Sequence, residues 1–165
     1  MTRRFLAAST LALTIAFAQP ALAQSAEEDF TTLREEVWQW TLDNSPDLAT
    51  SIGDRRGDGL LGDASLAGYE AQLAETRAFL ARLEAIDAAD LPEPLRIDYA
   101  IMARDFRDTL EAASFDHSRY VVFTNRGGPQ GAIAGLPYGS PLFTAADYES
   151  YLGRLEAFPE YVAHV

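Results

Sequence analysis

The sequence predicts an all-α protein: a helical hairpin plus flanking helices, joined by a long Gly/Pro-rich loop. Four stretches repeat apolar residues at alternating three- and four-residue spacing, the signature of one buried helical face. Capping or chain-breaking residues border each stretch, which marks separate helices rather than one long one. None of the 165 residues is cysteine. Disulfides and thiolate metal sites are therefore excluded, and apolar packing must hold the fold.

The first stripe is Phe30, Leu33, Val37, Trp40 and Thr41, with Glu27, Glu28 and Asp29 at the favourable N-terminal end. It predicts a helix from Ala26 to Asp43 that stops before Pro46, because the residue ahead of a proline avoids the α region. Trp38 and Trp40 are read as core or interface packing rather than a sugar platform. Asn44 to Asp63 is a Gly-, Asp- and Pro-rich connector with an apolar patch at Leu48, Ile52 and Leu60-Leu61. Within it, Asp54 to Gly59 imitates the opening of a calcium loop, but Arg56 stands at a ligand position and Ser65 where a bidentate Glu is needed. The calcium reading fails there. Arg56-Gly57-Asp58 spells a cell-adhesion tripeptide, a match too short to carry weight.

Leu66, Tyr69, Leu73, Thr76, Leu80 and Leu83 form the second stripe, from Ser65 to Ile86, with the charged residues largely off it. After an acidic turn at 87–93, Pro92 or Pro94 opens a third helix carrying Leu95, Tyr99, Met102, Phe106, Leu110 and Ala113. Two long helices joined by so short a link form an antiparallel hairpin, with the first helix laid against it. Ser114 to Phe143 has no helical periodicity, and Tyr120 to Phe123 suggests one short strand or an extended segment. The rest of that stretch reads as an ordered functional loop, since it is long yet carries Ile133, Leu136, Tyr138, Leu142 and Phe143.

Thr144 with Asp147 three residues on is a capping pair. Tyr148, Tyr151, Leu155, Phe158, Val162 and Val165 then make the fourth stripe. Pro159 predicts a break at Phe158 and a new helix beginning there. The stripe reaches Val165 without a Gly or Asn cap, so residues 24–165 are expected to be the N-terminal helical portion of a larger domain.

At the other end, Arg3 and Arg4 precede an apolar run from Phe5 to Ala18, and Ala21-Leu22-Ala23 supplies a small-x-small cleavage pattern. That is the build of a secretory signal peptide over residues 1–23, with Ala21 and Ala23 as the cleavage determinants and Gln24 the first mature residue. The expected address is periplasmic or secreted, with no membrane attachment after cleavage. The formal net charge is −12, and removing Arg3 and Arg4 makes it −14. Such acidity argues against nucleic acid and anionic membranes as partners. All thirteen basic residues are arginine, which reflects base composition rather than chemistry.

No catalytic, cofactor-binding or metal-binding residue is assigned. Gly127-Gly128 with Gly131 lacks the Lys-Ser/Thr of a phosphate loop. His117 and His164 have no histidine four residues away, so neither forms a helical zinc pair. Ser140, between Gly139 and Pro141, lacks the nucleophile elbow of a serine hydrolase.

Two runs carry a family resemblance: Pro46-x-x-Ala49-Thr50-x-x-Gly53-Asp54, and Asp147-Tyr148-x-x-Tyr151-Leu152-x-Arg154-Leu155. Together with Trp40, Leu42, Leu91 and Asp98-Tyr99, their order is similar to the N-terminal region of the bacterial domain-of-unknown-function 885 family. That family resembles mostly helical zinc metallopeptidases of the Glu-zincin type, with a His-Glu-x-x-Pro-Gly-His-like motif far downstream. The resemblance implies that this chain is a segment flanking the substrate cleft of an exported zinc-dependent peptidase or hydrolase. The zinc and the catalytic residues would belong to the rest of that chain, beyond residue 165, and a peptide or small molecule would be the substrate. The alternative is a complete small periplasmic binding or adaptor protein that packs its last stripe on a partner.

Overall fold

A computed structural model describes residues 25–115 and 127–164. The expected signal sequence with its cleavage determinants Ala21 and Ala23, the Tyr120–Phe123 segment, His117 and Val165 lie outside the described residues. Among the described residues the fold is all-α. It comprises α1 (Ala26–Asn44), α2 (Pro46–Ser51), α3 (Leu66–Glu84), α4 (Glu93–Ser114), α5 (Pro129–Gly139) and α6 (Ala145–Ala163), with 3-10 turns at Arg55–Gly57 and Ala88–Asp90. No helix there is long and apolar enough to cross a membrane.

Helices α1, α3 and α4 start where their capping chemistry sets them. Ser25 and Glu28 form a reciprocal capping box at α1, Ser65 accepts the Gly68 amide at α3, and Pro94 sits in the first turn of α4. Trp40 meets Phe79 edge-on at 5.5 Å, Glu36 pairs with Arg82, and Phe30 contacts Tyr99 at 6.0 Å. These pairings run α1 antiparallel to α3 and parallel to α4, so α3 and α4 form the expected antiparallel pair. Their shared core is Phe30, Leu33, Phe79, Leu83, Leu91 and Ala103. Surface pairs such as Arg34–Asp98 and Arg107–Glu84 are half exposed, and each adds at most about 1 kcal/mol. Trp40 packs on this core, whereas Trp38 keeps 42% of its surface exposed.

The first helix stops before Pro46 as expected, but three other expectations are overturned. The connector is not helix-free: Pro46 opens α2 at the first helical position, where its missing N–H has no partner to lose. The stretch after Gly128 is helical rather than a loop: Pro129 starts α5, and Pro137 lies inside it only two residues before its end. Finally, α6 runs unbroken through Pro159. A proline there removes one hydrogen bond, and Phe158 and Tyr161 on either side of it stack at 5.8 Å within the same helix.

The core predicts its own sensitivity. Phe30→Ala, at a site with no solvent exposure, is expected to cost about 3–5 kcal/mol in urea unfolding. Ile101→Ala, on the exposed side of α4, should stay within about 0.5 kcal/mol.

Candidate functional site: a reciprocal arginine–carboxylate clasp

The connector after α1 is folded by its own side chains. The Asp54 carboxylate accepts the Arg56 amide at 3.0 Å and caps the 3-10 turn. Arg56 reaches back to Asp43 and Gln39 on α1, both at 2.8 Å. Gly53 holds a φ of +87°, a left-handed conformation suited to glycine. Gly57 is required for a different reason: a Cβ there would lie 2.2 Å from the Pro46 carbonyl oxygen. The turn therefore packs backbone to backbone on the start of α2. Gly57 and Asp58 are buried, so the adhesion-like tripeptide is not displayed for recognition.

Across from this connector lies the start of α6. Thr144 and Asp147 form the expected capping box. Asp147 Oδ2 accepts the amides of Thr144 at 2.8 Å and Phe143 at 3.0 Å, which leaves Oδ1 facing out of the cap. Arg55 of the connector donates to that Oδ1 and stands 2.8 Å from Asp58 Oδ2. The Asp58 contact is an ion pair out of hydrogen-bond alignment, since Oδ2 is buried without a hydrogen bond. Asp147 is 1% exposed. The Arg55 guanidinium holds its carboxyl down at about 2, against burial and with help from the Thr144 and Phe143 amides.

Seven residues on, Arg154 lies on the same face of α6 and is also 1% exposed. It donates to Asp47 of α2 and, at 3.3 Å, to Ser140 Oγ. The Ser140 hydroxyl in turn donates to the Leu136 carbonyl at 2.7 Å. The two pairs are thus reciprocal. The connector sends an arginine to an α6 carboxylate, and α6 sends an arginine to an α2 carboxylate. Beside them a cleft of about 280 Å³ runs between the α1–α2 junction with Leu61–Ala64 on one side and Ala132, Leu136 and Tyr161 on the other.

This arrangement joins helices rather than poising a reaction. Asp147 is ionised throughout the neutral range and has no proton to give. The Ser140 hydroxyl donates to the Leu136 carbonyl and accepts from Arg154. His164 caps the end of α6 near Asp63. Among the described residues, no group of three or more His, Asp or Glu side chains is placed to hold a metal ion.

The sequence reading located the capping role of Asp147 but neither cross-seam pair. The apolar stripe from Tyr148 to Val162 is at most half-buried, with Tyr148 exposed, and the buried side chains of α6 are Asp147 and Arg154. The available signal was their seven-residue spacing on one helical face.

An all-α assembly in which a short connector and a distant helix are clasped by charge is the class this structure defines. The bacterial family described as a bacterial protein of unknown function (DUF885) matches residues 46–165. The chain belongs to that family. Comparison with curated proteins and with solved structures returned no match. The match takes in α2 through α6 and both sides of the clasp, and leaves out α1.

Two measurements test this geometry. Gly57→Ala is expected to lower stability by about 1–3 kcal/mol, because the new methyl meets backbone that cannot rotate away. For Asp147, the folded pKa lies below its ordinary value of 3.8. Its contribution is then complete at neutral pH and lost as pH falls from about 4 toward 2. Thermal melts of the wild type and Asp147→Asn should differ most near pH 7, and the gap should close over that acid window.

Proposed function

We propose that this chain is a non-catalytic helical segment that flanks the substrate cleft of an exported zinc-dependent peptidase or related hydrolase. The observation that carries the flanking role is the clasp, in which the buried Asp147 and Arg154 are each committed to an ion pair that joins helices. Beyond it, Tyr138 and Phe143 are more than nine-tenths exposed, and Tyr148 and Leu152 are about half exposed. Apolar surface of that kind suits contact with further protein. The resemblance to Glu-zincin-like peptidases supplies the chemistry, with zinc held by two His and activating a water, and a Glu acting as base. Those residues would come from sequence beyond residue 165. The basic-then-apolar leader supplies the route of export.

The decisive observation is the source DNA beyond the Val165 codon. An open frame that reaches a His-Glu-x-x-Pro-Gly-His-like motif supports the reading. A stop codon there would overturn it in favour of a self-sufficient adaptor. At the protein level, purified residues 24–165 are expected to retain far less than stoichiometric zinc after dialysis and to leave a mixed peptide library uncut. Stoichiometric zinc with chelator-sensitive peptide cleavage would place the active centre within this chain and defeat the proposal.

A further inference from the structure

The body and the α5–α6 unit are held by different forces. Nine of the ten buried apolar residues, among them Phe30, Leu33 and Leu83, belong to the chain up to α4. Leu136 is the single one contributed by α5 and α6 among the described residues. What α6 buries instead is charged, namely Asp147 and Arg154. Each finds its partner across the seam, in opposite directions, at Arg55 and Asp47.

We propose that α5 and α6 form an arm latched by these two reciprocal ion pairs, which opens as a unit ahead of the body and bares the seam cleft. The energetics favour such a separation. Each pair joins one buried member, Asp147 or Arg154, to a largely exposed one, Arg55 or Asp47. Desolvating the buried member offsets much of the attraction, so the pairs fix position more than they add stability. Here the compensation is incomplete, because Arg154 Nε is buried with no hydrogen-bond partner. The arm's helices are also intrinsically poor, with Pro137 inside α5 and Pro159 inside α6. Proline is the poorest residue for a helix interior, so docking sustains their helicity. The cleft itself lies along the seam, where the two units meet incompletely. Local opening free energy follows the number of buried apolar contacts. Among the described residues the arm contributes one buried apolar side chain, Leu136, with Tyr151, Leu155, Phe158 and Val162 only half-buried. Once open, the arm would uncover Pro46, Leu61, Leu136 and Tyr161 together.

Hydrogen exchange read by mass spectrometry on the full chain tests this directly. The wild-type amides of 130–163 are expected to exchange roughly tenfold or more faster than those of α1, α3 and α4. Asp147→Asn and Asp47→Asn should each accelerate exchange in the arm and leave the body unchanged. Asp47→Asn is the cleaner probe, because the Asp47 side chain is 84% exposed, so the change disturbs no packing at its own position and reports the loss of the Arg154 partner charge. Equal protection of arm and body in the wild type would overturn the proposal. So would acceleration spread evenly over the whole chain in Asp47→Asn, or no acceleration in either variant.

Discussion

Burying two opposite charges on one face of α6 constrains everything around it. Neither Asp147 nor Arg154 can be moved from its partner without leaving an uncompensated charge out of water, a far larger loss than a misplaced methyl group. A rotation of α6 by one residue would carry Asp147 from Arg55 and Arg154 from Asp47 at the same moment. The two contacts are separated by two helical turns, so they fix both the rotation of the helix and its position along its axis. An apolar stripe could slide by a rotamer or two and remain buried. The paired charges cannot.

The clasp works only because the connector between α1 and α3 is itself rigid. Arg55 and Arg56 are neighbours that serve opposite sides: Arg55 faces α6, and Arg56 ties the turn to Asp43 and Gln39 of α1. Gly57 lets that turn sit on the Pro46 carbonyl with no side chain between. Position therefore passes from the apolar core through α1 into the connector, and from the connector into α6. The core supplies stability through burial, and the charged seam supplies orientation.

Much of this fold was legible in the sequence. Capping residues and apolar periodicity placed α1, α3 and α4 within one or two residues, and Thr144 with Asp147 marked the start of α6. These are local signals, each settled within a turn or two of chain. The differences fall at prolines. Pro137 and Pro159 lie inside helices, where proline is locally disfavoured, whereas Pro46 opens α2 at the first position, which suits it. The clasp was the hardest feature to read. Its partners are 92 and 107 residues apart, and no periodicity reports such a pairing. The runs that carry the family resemblance name Asp147 and Arg154 and span Asp47 only as an unspecified position, so two of the residues are in view without the contact that explains them.

The family match begins at Pro46, yet the core cannot be closed from there onward. Phe30 and Leu33 of α1 are among its most deeply buried side chains, and they cover Phe79, Leu83 and Leu91 in the same cluster. Without them, α3 and α4 would be a two-helix hairpin with a long apolar face turned to water, which is marginal as an independent unit. Helix α1 also anchors the connector through Asp43 and Gln39. It therefore does for the matched residues what their own sequence cannot do: it completes their core, and through Arg56 it sets the platform on which α6 is clasped.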